Sequence, residues 1–262
     1  MTPFVLDQLE KNVRDYLDRD TLADGVSLVH RRSKARGGIL RASTGEDRTV
    51  IIKTWRLSSH RDRLKRLAWM SNTRREWRIH RYLHESGVRV PEALAYRAGR
   101  GERGPYELIV LEDLGPLTDA VSYLKSCLRA GDERGARRLE NEVIENTARM
   151  IANRALDIDN KLNNFGVTAS GELYRLDLEC ARRWRFRSLP TSIYGKMIGH
   201  LVASHAFACQ PHLARTEACA GKLAEALKPP QAVLVAARAS LEAVLLRQKK
   251  RRGIESRLSL PW

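Results

Sequence analysis

Asp159-Asn160-Lys161-Leu162-Asn163-Asn164-Phe165, followed by Tyr174-Arg175-Leu176-Asp177, is the stretch on which the reading of this chain turns. It sets an Asp and an Asn five positions apart in a polar segment, then a second Asp at the end of a short apolar run. ATP-dependent phosphoryl transfer needs this residue set: one carboxylate to orient and deprotonate an attacking hydroxyl, then an amide and a carboxylate to hold magnesium (Mg2+). Asp157 competes for the first role. Five positions beyond it lies Leu162, which cannot hold a metal, whereas Asn164 lies five beyond Asp159 and directly precedes the strand-like Phe165-Gly166-Val167. Glu179 is a weaker second candidate beside Asp177. Taken singly, such Asp and Asn residues are accounted for by turn and capping chemistry. The reading therefore requires a lysine on a strand and a glutamate on a helix upstream.

Both are present. Thr49-Val50-Ile51-Ile52-Lys53-Thr54-Trp55 is the strongest strand signal in the chain, and alternation puts Lys53 on one face with Ile51 and Trp55. A lysine on an apolar face needs a partner, because a lone buried charge is costly. Residues 60–85 are charged and free of Gly and Pro, which predicts a helix closed by Gly87 and Pro91. On that helix Glu76, Ile79 and Leu83 share a face, so Glu76 can meet Lys53. Gly37 and Gly38, after the basic turn Arg31 to Arg36, let backbone amides approach phosphates. The strand Leu108 to Leu111 ends in Glu112-Asp113-Leu114-Gly115-Pro116, where Glu112 to Leu114 would offer backbone groups to an adenine.

The remaining elements follow the same logic. Residues 4–19 carry apolar positions at helical spacing, Val26 to Val29 and Gly38 to Ala42 read as strands, and Ser43 to Asp47 as a hairpin turn. Beyond Pro116 the chain reads as helical up to Ala155, with a loop near Gly131. Phe165 to Val167 and Leu173 to Leu176 form two short strands joined at Ser170-Gly171. Helices follow Pro190, with a break at Pro229-Pro230. Strand-rich first and helix-rich later, the chain reads as α+β.

With 262 residues and 43% hydrophobic residues, it has enough for a sizeable core in one large domain or two joined lobes. No run of about eighteen uncharged apolar residues occurs, so no membrane span is expected. Met1 to Glu10 lacks a secretory pattern, and the scattered Cys127, Cys180, Cys209 and Cys219 read as free thiols in a reducing compartment. The net charge of +16 argues for an anionic partner. No basic motif interleaved with aromatics is present, so no specific nucleic acid is expected. Nothing in the sequence speaks to oligomeric state.

At these residues the chain resembles the protein-kinase-like superfamily and, within it, the lipopolysaccharide kinase (Kdo/WaaP) family. The stretches that carry the likeness are VIIKTWRLSSHRDRLKRLAWMSNTRREWRIHRYLHESGVRVPEAL at 50–94, LIVLEDL at 108–114, DIDNKLNNFGV at 157–167 and LYRLDLECARRWR at 173–185. The resemblance implies a bilobal protein-kinase-like fold, with a small antiparallel-sheet N-lobe and a mostly helical C-lobe. It divides the chain into an N-terminal helix (1–23), an ATP-binding N-lobe (24–112) and a C-lobe with the catalytic and metal-binding loops (113–262). By the same resemblance Lys53 orients the α and β phosphates of ATP and Glu76 pairs with it. Asp159 is the catalytic base, and Asn164 and Asp177 hold magnesium. Two departures bear on the acceptor. Asp157-Ile158 stands where His-Arg or His-Gly is usual, which removes the arginine that couples to a phosphorylated activation loop. No Ala-Pro-Glu follows Asp177, which argues against a protein-substrate platform.

The expected function is a kinase phosphorylating a sugar hydroxyl of the lipopolysaccharide inner core (Kdo or heptose). Such an acceptor is an anionic glycolipid. The expected location is cytoplasmic, with peripheral contact to the anionic inner face of the inner membrane through Arg61, Arg63, Lys65, Arg66 and the tail Lys249 to Arg252. The alternatives are a RIO-like protein kinase, with the same chemistry on another acceptor, and a pseudokinase-fold binding module.

Overall fold

The computed structural model describes residues 2–31, 37–45, 48–60, 63–64, 71–185, 188–252, 258, 260 and 262, with backbone alone at 249–252. The basic turn at 32–36, Arg61, Lys65, Arg66 and the side chains of Lys249 to Arg252 thus lie outside the described residues. The chain divides into two compact units, Met1–His84 with Pro91–Leu114, and Glu85–Val90 with Gly115–Trp262.

The first unit is a helix-covered antiparallel sheet. Its opening helix α1 (Pro3–Arg19) starts where Thr2 accepts the Val5 N–H and Pro3 supplies a fixed φ, and it ends at Asp20, whose φ of 59° is left-handed. The strands are β1 (Val26–Arg31), β2 (Gly37–Ser43), β3 (Thr49–Arg56), β4 (Ala93–Gly101) and β5 (Gly104–Glu112), in the order β1-β2-β3-β5-β4. Every pairing is antiparallel. The apolar stripe of α1 (Leu9, Val13, Tyr16, Leu17) packs on Leu40, Val50, Ile52, Tyr106, Leu108 and Val110 to form the core of one face. The opposite face carries Ile51, Trp55, Tyr96, Ile109 and Leu111, with Trp77 from helix α2 (Asn72–Glu85). Strand alternation assigns Lys53 to this second face, with Ile51 and Trp55.

Two expectations change here. The helix expected over 60–85 is interrupted: Ser71 is non-helical and its Oγ accepts the Arg74 N–H at 3.2 Å, so α2 starts at Asn72. A serine hydroxyl satisfies a free helix-start donor better than it serves a helix interior. Strand β4 was not legible, because its Ala, Arg and Gly residues carry little strand propensity. Its pairing with β5 supplies the backbone bonds instead. Gly99 permits that fit, since a Cβ there would lie 2.4 Å from the Tyr106 hydroxyl.

The second unit is mainly helical. Helices α3 (Ala120–Ala130) and α4 (Glu133–Ala152) are separated at Gly131 and capped by Asp119 and Asp132, which accept the N–H groups of Ser122 and Gly135. Short strands β6 (Leu117–Asp119), β7 (Ala155–Asp157), β8 (Phe165–Thr168), β9 (Leu173–Arg175) and β10 (Ala181–Arg183) make two small sheets, β6-β8-β9 and β7-β10. Helices α5 (Thr191–Cys209), α6 (Leu213–Leu227) and α7 (Gln231–Arg252) complete the unit, with the expected break at Pro229-Pro230 and another at Gln210–His212. α5 is buried nearly all round and packs along α7, whose backbone lies where any Cβ at Gly195 or Gly199 would fall. Among the described residues no helix is long and apolar enough to cross a membrane.

Because α1 supplies four of the eleven buried residues of the first core, Leu9→Ala should cost about 2–5 kcal/mol, as a buried leucine truncation does. Chemical denaturation checks this. A midpoint unchanged from wild type would show α1 to be an appendage rather than part of the fold.

Candidate active site

In the first unit β3 holds Lys53 and α2 holds Glu76, and the two side chains meet with Nζ 2.8 Å from Oε1. Lys53 is 6% exposed and Glu76 fully buried. Burial pushes the Glu76 carboxyl up, but the Lys53 ammonium and His80 outweigh it and hold the group at about 2. His80, one turn on, is fully buried, and burial drives its pKa down. Its Nδ1 faces the Pro91 carbonyl at 3.3 Å, and its Nε2 lies 3.8 Å from Glu76, outside hydrogen-bond reach. Glu76 Oε2 accepts no hydrogen bond among the described residues. An ammonium held this way, on an otherwise apolar sheet face, is a fixed point charge.

The other first-unit candidates lie along the sheet and at its end. Gly37 and Gly38 lie in the β2 ladder opposite Trp55 and Thr54. Gly37 has φ +136°, and a Cβ there would fall 1.9 Å from the Thr54 carbonyl oxygen, so the local backbone itself demands glycine. Glu112 ends β5, exchanges backbone contact with Glu92 and accepts the Glu92 N–H through its side chain. Leu114 follows it at the end of the unit. Between them Asp113, unremarked in the sequence, accepts from Arg41 Nη2 at 3.0 Å and from Thr49 at 2.7 Å, and its Oδ2 lies 2.7 Å from Arg41 Nε as an ion pair. These bonds tie the 112–114 segment to β2 and β3.

In the second unit Asp159 and Asn164 come together in the loop between β7 and β8. The Asn164 amide nitrogen donates to the Asp159 carbonyl at 2.7 Å and lies 3.4 Å from its Oδ2. A single turn of 3-10 helix, Leu162–Asn164, delivers Asn164 to the start of β8. Lys161 Nζ is 2.9 Å from Asp159 Oδ1, and the Asp159 side chain keeps 38% exposure. Asp157 is inside instead. It is fully buried, its Oδ1 accepts the Asp159 N–H at 3.0 Å, and burial above all raises its pKa to about 6. Asp157 thus orients the loop from below while Asp159 faces out. Asp177 follows β9, half-buried, with Oδ1 accepting the Glu179 N–H at 3.1 Å. The Leu176 N–H donates to the Asn164 carbonyl at 2.8 Å, which joins the Asn164 and Asp177 segments directly.

Comparison with known proteins bears on the family and the fold. The profile of the lipopolysaccharide kinase (Kdo/WaaP) family matches residues 27–157, half of the chain. The chain belongs to that family. Its activity is accordingly that of a kinase, a phosphotransferase. Among curated proteins none matches the sequence. Among solved structures, one described as WaaP in complex with acyl carrier protein is 20% identical, with a TM-score of 0.62, covering 92% of this chain and 96% of that one. The ROP18 kinase domain in complex with AMP-PNP and sucrose is 12% identical, with a TM-score of 0.54, covering 96% and 95%. At these identities both likenesses speak for the fold, which is protein-kinase-like.

A lipopolysaccharide-family kinase is expected to use magnesium, and the donor set suits that ion. With the Asn164 amide nitrogen committed to Asp159, its oxygen is the remaining donor, and Asp177 adds a carboxylate; both are hard oxygen ligands. A different buried cluster, Glu140 with His205 and Cys209, has metal-like composition. Its atoms are otherwise engaged: Arg215 donates to both Glu140 oxygens, and His205 faces Glu140 and Thr216 at 3.0 Å each. It is an internal ion-pair network.

Sequence reasoning missed Lys161, Asp113 and Arg175. For Arg175 a signal existed, because alternation puts it on the same face of β9 as Leu173, and both are buried. The Glu76 shift has a direction. A carboxyl held low in the folded state contributes stability that is full above its ordinary value of 4.5 and is lost as pH falls towards about 2. Melting temperature should therefore fall over that window in wild type, and that component should be missing in Glu76→Gln. At neutral pH the variant should be less stable by about 3–5 kcal/mol, since it leaves the lysine buried without its counter-ion. Parallel melting curves for the two proteins at neutral pH would remove Glu76 from this role.

Proposed function

We propose that this kinase transfers the γ-phosphoryl group of ATP to a sugar hydroxyl of the lipopolysaccharide inner core, on Kdo or heptose. The observation that carries the proposal is Asp159, whose backbone is held by Asn164 and Asp157 and whose partly exposed carboxylate is paired with Lys161. Lys161 takes Oδ1. Oδ2, which the Asn164 amide reaches only at 3.4 Å, is left to receive the hydroxyl proton. Holding that oxygen still is most of what a protein contributes to phosphoryl transfer, which relies on positioning and electrostatics rather than covalent chemistry. Lys53, fixed by Glu76, binds the α and β phosphates. Asn164 and Asp177 hold magnesium, which when bound neutralises charge on the phosphate oxygens. The backbone at 112–114, braced by Asp113, receives the adenine.

Family membership and charge support this acceptor. A net charge of +16 suits an anionic glycolipid and an anionic membrane face, at which the kinase would act from the cytoplasmic side. Asp159→Ala should lower Mg-ATP-dependent phosphate incorporation into extracted lipopolysaccharide by about 10²–10⁴-fold, the range for loss of a general base, with ATP binding retained. A variant as fast as wild type would end this reading. Incorporation into protein but not into lipopolysaccharide would replace the acceptor and keep the chemistry.

A further inference from the structure

Arg175 is a fully buried arginine at the end of β9, two residues before Asp177. Each of its three guanidinium nitrogens donates a hydrogen bond. Nε donates to Asn146 Oδ1 at 3.1 Å and Nη2 to Thr147 Oγ1 at 3.2 Å, both on α4. Nη1 donates to Asn160 Oδ1 at 2.7 Å and lies 3.7 Å from Asp157 Oδ2. The plane stacks on the Phe165 ring, 4.4 Å from its centroid. Its backbone N–H donates to the Arg89 carbonyl. Asn160, in turn, donates to the Met197 carbonyl on α5.

The partners are unequal in kind. Asn146 and Thr147 belong to a rigid helix. Asp157 and Asn160 flank Asp159 on either side, and Asp157 also accepts the Asp159 N–H. One planar group therefore clamps the loop bearing Asp159 to α4, from a strand that continues into Asp177. The closest contact is the one to that loop, and the carboxylate of Asp157 is not hydrogen-bonded to the guanidinium. Charge neutralisation by a single acid would call for a tighter pair. What the geometry provides is a fork that reaches three oxygen atoms at once, which arginine can do and lysine cannot.

We propose that Arg175 is a positioning residue, which sets Asp159 and Asp177 in register by clamping the 157–160 segment to α4. This rests on the reading of Asp159 as the catalytic base. Arg175→Lys keeps the charge and loses the fork. It should lower kcat for phosphate transfer to extracted lipopolysaccharide by about 10²-fold, as small misplacements of a reacting group do, with KM for Mg-ATP near wild type. Asn160→Ala, which cuts the loop-side bond together with the Asn160 bond to Met197, should lower kcat in the same way. The double variant should be little worse than either single one, because both break one linkage. Asn146→Ala cuts a helix-side bond and should lower the melting temperature as much as Asn160→Ala does. Wild-type kcat per folded molecule in Arg175→Lys, or kcat losses in all variants that merely track melting temperature, would overturn the proposal and leave Arg175 a packing residue. The two ideas separate cleanly. An active Asp159→Ala defeats the catalytic reading, whereas an inactive Asp159→Ala beside a fully active Arg175→Lys defeats only the positioning role.

Discussion

A cation taken out of water must be met by oxygen atoms, and each unit of this chain is organised around one such cation. In the first, Lys53 enters an apolar sheet face and Glu76 leaves an apolar helix stripe to meet it. In the second, the Arg175 guanidinium is surrounded by Asn146, Thr147, Asn160 and Asp157. Hydrophobic burial alone would be served as well or better by apolar residues at these positions. What the buried charges contribute is geometry, since a wrong arrangement leaves an unpaired charge in a low-dielectric interior.

That constraint explains why functional groups sit where they do. On the proposed reading Lys53 serves a nucleotide because it is already held and need not be ordered on binding. Asp157 goes inside, where burial pushes its pKa to about 6, and leaves the exposed position to Asp159. Two carboxylates two residues apart thus acquire different environments from the fold alone, and the proposed division into scaffold and reactive group rests on that difference.

Much of this was legible in the chain. The β3 lysine, the glutamate on a helical apolar face, the Asp-to-Asn spacing and the Asp after a short strand each follow from periodicity and residue chemistry. Strand β4 was not, because its small and charged residues pair for the sake of β5's backbone rather than from propensity. The three-residue strands β6, β7 and β10 are too short for any alternation to register. The break at Ser71 hinges on one side-chain hydrogen bond to a helix start.

By itself the sequence determined which residues could carry the chemistry, since side-chain type and spacing decide which groups share a face or a loop. It also determined the α+β order. Only the tertiary structure decided which of Asp157 and Asp159 faces solvent, that Lys161 holds the exposed one, and that Arg175 reaches beneath the loop. Those outcomes depend on contacts between residues distant in the chain, such as Asn146 with Arg175 and Arg41 with Asp113. Local spacing carries no record of such contacts, because they are set by how elements pack once the backbone has closed on itself.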